Sequence, residues 1–406
     1  MAKSKKNKKW CYPRHTLVRN ILNLTLGTYT KLKYNVKIEK FKDPQNRQYL
    51  VLYNHQTAFD QFFVGMCFKK PIYYVASEDL FSNGFVSSLI RYLVAPIPIK
   101  KQTTDVHAVI NCMRVASEGG TIAIAPEGNR TYSGKTEYMN PSISMLIRKL
   151  NLPIAIVRIE GGYGVHPRWS DVVRKGKMRT YVSHVIEPEE YADLSNDELY
   201  ALVQKELFVN EAHDDRIFTS KKKAEYLERA MYFCPKCGLS TFESHGDIIE
   251  CKQCHIKVRY LPNTALEGVD EPFPFLFVSD WYDAQCDYIN RLDTSAYIEE
   301  PLHRDTVQFS EVIVYKTKNV LCKQANLALY GDRITVNEGT DGECVFSFES
   351  ITAVSVLGKN KINIYHNKQV FQIKGNKRFN ALRYVNLCYR HKNMLKGEKH
   401  GEFLGL

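Results

Sequence analysis

The chain has 406 residues, 44% hydrophobic and 25% charged, with 56 Lys/Arg against 44 Asp/Glu for a formal net charge of +12. This is the composition of an ordinary folded protein of two or three domains, and it excludes a disordered or fibrous chain. No stretch approaches the ~20 apolar residues of a transmembrane span, and no basic surface interleaved with aromatics marks a nucleic-acid binder.

Residues 1–48 carry thirteen Lys/Arg and two acids, so nearly all the net charge sits there. Residues 1–15 read as a solvated basic tail without order. From residue 16, Leu17, Val18, Ile21, Leu22 and Leu24 recur at helical spacing, broken by Arg19, Asn20 and Asn23. This pattern predicts an interfacial amphipathic helix beside lysines that meet anionic headgroups; a helix packed on the following domain fits it as well. Polar breaks and the lack of a small-residue cleavage site argue against a signal peptide. The expectation is a cytoplasmic protein attached peripherally to the inner face of a membrane.

Residues 49–53 form a short apolar run that predicts a buried strand, with Asn54 and His55 at its carboxyl end, where open α/β sheets place their ligands. Asp60 lies five positions on, so a turn or helix start can fold its carboxylate onto the imidazole. A carboxylate on one ring nitrogen fixes the tautomer and leaves the other nitrogen to take a proton from a hydroxyl. Residues 72–76 read as a strand. Phe85, Val86, Leu89, Ile90, Leu93 and Val94 make a helical stripe, read as core-facing. Residues 121–125 predict a second buried strand ending in Pro126-Glu127-Gly128-Asn129-Arg130-Thr131. Gly128 permits unusual dihedrals, and the Arg130 guanidinium can clamp a phosphate through two bonds. Residues 152–157 and Met178–Ile186 read as further strands, and 199–209 as a closing helix.

Asn54-His55-Gln56-Thr57-Ala58-Phe59-Asp60 and Pro126-Glu127-Gly128-Asn129-Arg130-Thr131 together resemble the signature of the glycerolipid acyltransferases, written NHxSxxD and PEGTRS in that family. Thr57, Asn129 and Thr131 replace a serine, a threonine and a serine, each keeping hydrogen-bonding capacity. In Ala95-Pro96-Ile97-Pro98-Ile99-Lys100-Lys101, where relatives have a GxIFIDR-like strand, Lys101 falls on the arginine position and supplies a point charge without a fork. The resemblance covers roughly residues 20–210. It implies an α/β domain with a central mixed sheet flanked by helices, over residues 16–215. It also implies a helix 85–94 that lines an acyl tunnel, as an alternative to the core-facing reading. The implied catalytic pair is His55 and Asp60, with Lys101, Glu127, Gly128, Arg130 and Thr131 on the acceptor.

Cys234, Cys237, Cys251 and Cys254 form a C-x2-C…C-x2-C array with thirteen residues between the pairs. Two such knuckles resemble a zinc ribbon, here residues 226–262, whose closed four-cysteine site would hold one structural zinc. The other seven cysteines are scattered, as in a reducing compartment. Residues 263–300 read as a connector with a helix near 281–291. Residues 301–395 alternate as about seven strands, at 313–315, 327–330, 333–336, 344–348, 353–357, 361–365 and 370–373. A terminal helix follows, with Phe379, Leu382, Val385 and Tyr389 on one face. This arrangement resembles a pleckstrin-homology-like or GRAM-like barrel.

The reading that joins these parts is a peripheral membrane O-acyltransferase of phospholipid biosynthesis. It would move an acyl chain from acyl-CoA or an acyl carrier protein to 1-acyl-glycerol-3-phosphate, giving phosphatidic acid. Glycerol-3-phosphate or another lysophospholipid is the alternative acceptor. An inactive membrane-recruited scaffold is the alternative of a different class. Membrane phospholipids and lysophosphatidic acid are the expected partners, with no nucleic acid.

Overall fold

The computed structural model describes residues 9–43, 45–82, 84–100, 105–313, 317–398 and 403–405. Most of the basic tail and Lys101 lie outside the described residues.

The first half is built on a seven-stranded sheet. Its strands are β1 (Val36–Ile38), β2 (Leu50–Tyr53), β3 (Ile72–Ser77), β4 (Ile97–Ile99), β5 (Thr121–Ile124), β6 (Ile154–Glu160) and β7 (Met178–Ile186), in the order β1-β7-β6-β2-β5-β3-β4. All neighbours are parallel except β6 and β7, so the sheet is mixed. Strand β2 shows why its sequence is apolar throughout. Leu50 and Leu52 enter one core cluster and Val51 and Tyr53 the opposite one, so both faces of the pleat are covered. The carboxyl ends of adjacent parallel β2 and β5 lie side by side, which brings the two motif blocks together.

Helices flank the sheet: α1 (Arg14–Leu22), α2 (Thr28–Lys33), α3 (Asp60–Cys67), α4 (Gly84–Val94), α5 (Val106–Ser117), α6 (Ser142–Leu150), α7 (Gly162–Val165), α8 (Pro188–Tyr191) and α9 (Asn196–Leu207). Ser195 starts α9 with a capping box, its side chain meeting the Glu198 backbone while the Glu198 carboxylate returns to the Ser195 N–H. A π-helical turn, Asn23–Gly27, joins α1 to α2 in one helical arm. Leu17, Ile21, Leu24 and Leu32 on this arm are exposed. No described helix is long and apolar enough to cross a membrane.

Helix α4 departs from the core-facing expectation. Phe85, Val86 and Leu89 are exposed, and Ser87 is its buried residue. Ile90, Leu93 and Val94 line a large cavity. A helical stripe reports only that one face is apolar; here that face meets open space instead of core.

The second half begins with the hairpin β8 (Phe233–Cys234) and β9 (Gly238–Leu239) and a four-stranded antiparallel sheet of β10 (Phe242–His245), β11 (Ile248–Cys251), β12 (Lys257–Tyr260) and β13 (Leu266–Gly268). Because β13 pairs with β12, this sheet runs past residue 262. Helix α10 (Val278–Arg291) follows, three residues longer than expected at its start.

Strands β14 (His303–Ile313), β15 (Thr317–Leu329), β16 (Arg333–Val336), β17 (Cys344–Ser347), β18 (Ala353–Leu357), β19 (Lys361–His366) and β20 (Gln369–Lys374) form a second seven-stranded sheet. Its order is β17-β16-β15-β14-β20-β19-β18. It is a curled β half-barrel carrying a terminal helix, α11 (Ala381–Leu395). The first strand starts ten residues before the expected 313, and residues 314–315 lie outside the described residues.

Helix α11 is buried nearly all round, Arg383 and Arg390 included, instead of on one face. It packs against β18 and β19 on one side and α10 on another. The two halves share a core: Tyr132 and Trp169 of the first half cluster with ribbon, α10 and barrel residues.

Candidate active site

Asn54 directly follows β2 and copies a strand's hydrogen bonding with its side chain. Its Nδ2 donates to Ile159 O at 2.9 Å and its Oδ1 accepts from Ile159 N at 2.8 Å, which ties the turn to β6. His55 follows, and the chain then folds into α3, whose first residue is Asp60. The five-residue spacing thus spans a turn and a helix start. Asp60 Oδ2 lies 2.9 Å from His55 Nδ1. The carboxylate is fully buried and also accepts from Gln56 N at 2.7 Å, Thr57 N at 2.9 Å and Thr57 Oγ1 at 2.6 Å. Three such donors fix its orientation. The Asp60 contact engages Nδ1.

Behind the dyad, a Cβ on Gly162 would stand 2.5 Å from Gln56 Cβ, so a glycine is required where α7 passes the motif. The Gln56 amide is buried, and neither its Oε1 nor its Nε2 has a hydrogen-bond partner among the described residues.

The second motif is turned inward more than its sequence suggests. Glu127 Oε1 accepts from His55 N, and Oε2 from Glu137 N, both at 2.9 Å. Burial pushes the Glu127 carboxyl up to about 8, against the lowering effect of those two N–H groups. Gly128 takes a φ of +65° with nothing near its Cβ position, so the glycine serves the backbone turn. The Thr131 hydroxyl, also buried, donates to Glu137 Oε1 at 3.1 Å and accepts from Gly134 N at 2.9 Å. Thr131 N reaches His55 O at 3.3 Å, a second link between the motifs.

Arg130 is half-buried by surface exposure, and burial together with the charge of Arg168 beside it lowers its pKa to about 10. Its Nη1 has no partner among the described residues. Arg168 spans the two halves of the molecule. It donates to Arg130 O at 2.8 Å and to Gly358 O and Val356 O of the barrel at 3.4 Å each. Lys359 donates to Asp171 at 2.8 Å, and buried Arg229 pairs with the same carboxylate at 2.9 Å. Glu137, Arg168 and Asp171 carry no motif that sequence reading could catch.

His55, Glu127, Gly128 and Asn129 open onto one cavity of about 1760 Å³. Arg130 and Thr131 do not line it, and Lys101 lies outside the described residues; Lys100 beside it does line the cavity. The α1–α2 arm, α4 and α6 supply apolar walls, and α11 of the C-terminal half closes another side. That wall was beyond sequence reading, because only tertiary packing brings residue 389 onto the cavity that His55 also lines.

The four ribbon cysteines place their sulfurs within 4.8 Å of one another. Cys234 Sγ and Cys254 Sγ stand 3.6 Å apart, too far for a disulfide and close to the ~3.8 Å edge of a tetrahedron with 2.3 Å metal–sulfur bonds. The donor set and its spacing can hold a metal ion.

A hydrogen-bonded His–Asp pair thus stands at the carboxyl ends of parallel strands, beside a large cavity. Residues 34–160, about a third of the chain, match the family model described as Acyltransferase. Among solved structures, the chain is similar to the 1-acyl-sn-glycerophosphate (LPA) acyltransferase PlsC from Thermotoga maritima. The identity is 21% and the TM-score 0.38, over 47% of this chain and 75% of that one. No curated protein matched.

Proposed function

We propose that this site transfers an acyl chain from an activated thioester to the free hydroxyl of 1-acyl-glycerol-3-phosphate, giving phosphatidic acid. The observation that carries the reading is the closed His55–Asp60 pair on the wall of a cavity large enough for two acyl chains. His55 Nε2 takes the hydroxyl proton as the alcohol oxygen attacks the acyl carbon. The ester C–O bond forms, the thioester C–S bond breaks, and the proton passes from the imidazolium to the departing thiolate. Asp60 holds the tautomer and stabilises the imidazolium. A general base of this kind contributes about 10²–10⁴-fold, and positioning of an already reactive thioester supplies much of the rest.

Glu127 and Thr131 shape the second motif around His55. Gly128 sets its turn, and Arg130 and Lys101 supply positive charge toward the acceptor phosphate. The exposed leucines of the α1–α2 arm and the exposed face of α4 would dock on the inner membrane surface, with the basic tail on anionic headgroups. The ribbon cysteines would hold one structural zinc, which organises the second half and takes no part in the reaction.

The test is transfer from a labelled acyl donor to a panel of lysophosphatidic acid, glycerol-3-phosphate and neutral lysolipids. Preference for lysophosphatidic acid supports the proposal; preference for another acceptor reassigns the substrate.

A further inference from the structure

A pocket of about 330 Å³ lies where the ribbon, the half-barrel and α11 meet, and it shares no wall residue with the cavity that His55 lines. Lys252 and Gln253, the two residues between Cys251 and Cys254, form its ribbon side, and the Ser240 hydroxyl donates to Gln253 Oε1 at 3.1 Å. His303 of β14 stands opposite Leu329 of β15 on the barrel side. Arg383 and Leu387, one turn apart on α11, complete the wall. Arg383 is only 5% exposed. Its Nη2 donates to Ser240 O, which places the guanidinium against the ribbon side of the pocket, and its Nε has no partner among the described residues. Asp305 acts on this guanidinium without forming an ion pair, and its Oδ2 is already taken by Tyr384 Oη at 2.8 Å and His303 Nε2 at 3.2 Å.

A buried cation without a paired counter-charge is costly, so this guanidinium favours an anion brought in from outside. No wall residue is acidic to repel one. Lys252 and His303 share the wall but already meet carboxylates, Lys252 at 3.3 Å from Glu243. One guanidinium without an ion pair, beside Leu239, Leu302, Leu329 and Leu387, matches a single negative charge on an apolar body. A phosphate dianion would need a second uncommitted cation. The volume is at the small end of ligand pockets, which suits one short chain and leaves no room for a two-chain lipid. We propose that this pocket binds a medium-chain carboxylate, with its carboxylate on Arg383 and its chain on the leucines. The site stands apart from the His55–Asp60 pair and holds whether or not that pair transfers acyl chains.

Octanoate is the probe, and hydrogen exchange of the whole chain is the readout, because a local signal separates this pocket from the apolar walls of the motif cavity. Octanoate should slow exchange in residues 239–241, 252–253 and 383–387. Octan-1-ol, with the same chain and no charge, should need about tenfold more for the same protection, the difference expected for a charge-assisted hydrogen bond. Arg383→Gln should raise the octanoate concentration required by a similar factor. Because Arg383 is buried, Lys252→Glu at the exposed rim is the second variant; it sets a carboxylate at the entrance and should weaken octanoate about threefold. If Arg383→Gln does not fold, Lys252→Glu decides alone. Absence of protection in these three segments, equal potency of octan-1-ol, or octanoate dependence unchanged in the folded variants overturns the site. Stronger protection by octyl phosphate or by inorganic phosphate overturns the carboxylate assignment.

Discussion

Glu127 Oε1 accepts the backbone N–H of His55 at 2.9 Å, so the acid of the second motif fixes the backbone of the base in the first. Two segments seventy residues apart are thereby one rigid unit. The sequence-based expectation of Glu127 on the substrate and the observed brace call for the same residue type, and only the coordinates separate them.

Replacing Asp60 by Asn should leave a folded protein with at least ~10²-fold lower kcat, because the amide cannot stabilise the imidazolium or enforce the tautomer. Steady-state kinetics beside circular dichroism measure this. Near-wild-type turnover in Asp60→Asn would remove the dyad from the mechanism.

The raised pKa of Glu127 makes a prediction about stability with pH. A carboxyl with a higher pKa folded than unfolded binds its proton more tightly in the native state. Its contribution is complete below the ordinary carboxyl range and is lost as pH rises through about 8. Buried His166, held well below its ordinary value chiefly by burial and then by nearby Lys359, acts in the opposite direction only below about pH 6.5. Between about pH 6.5 and about pH 8.5 the urea midpoint of the wild type should therefore fall more than that of Glu127→Gln, which does not titrate. Parallel curves would show that Glu127 does not take up a proton on folding.

Asp171 joins the halves of the molecule. Burial raises its pKa, but hydrogen bonds from Arg229 and Lys359 outweigh this and hold it well below the usual carboxylate range. Its contribution is present above the ordinary Asp pKa and lost as pH falls below it. Asp171→Asn should destabilise the protein by about 1–2 kcal/mol. The cost arises from leaving buried Arg229 unpaired, and it is moderated because Asp171 is 40% exposed. Chemical denaturation would measure the cost. Hydrogen exchange should show faster opening around residues 356–359, and an unchanged pattern there would exclude this carboxylate as the link.

The ribbon should carry one metal ion per chain, lost in Cys234→Ser/Cys251→Ser. Metal analysis of the purified protein reads this directly. Because Cys234 and Cys251 lie in the core shared with Trp169 and Trp281, chelation should also lower the thermal midpoint. A metal-free protein with full thermal stability would rule out the zinc assignment.

Much of the site was legible because its geometry is local. Apolar runs 49–53 and 121–125 predict buried strands, found as β2 and β5, and a His five residues before an Asp needs one turn to close. The cysteine array was legible for the same reason, since knuckle spacing encodes a tetrahedron. Residues whose role depends on distant partners were hidden. Arg168 has no motif around it, yet it reaches Arg130 and the barrel turn at Gly358. The apolar face of α4 was visible, but whether core, cavity or solvent met it depends on how α1 and α4 pack. The all-round burial of α11, with Arg383 and Arg390 inside, was equally out of reach: long arginines reach backbone carbonyls such as Ser240 O and Leu292 O from within a core.

The most direct measurement is single-turnover acyl transfer to lysophosphatidic acid by wild type and His55→Ala across pH. The wild type should form phosphatidic acid, with a rate that rises as the imidazole loses its proton. His55→Ala should be about 10²–10⁴-fold slower and lose that dependence while keeping its fold. Transfer by His55→Ala at the wild-type rate would contradict the assignment of His55 as the base.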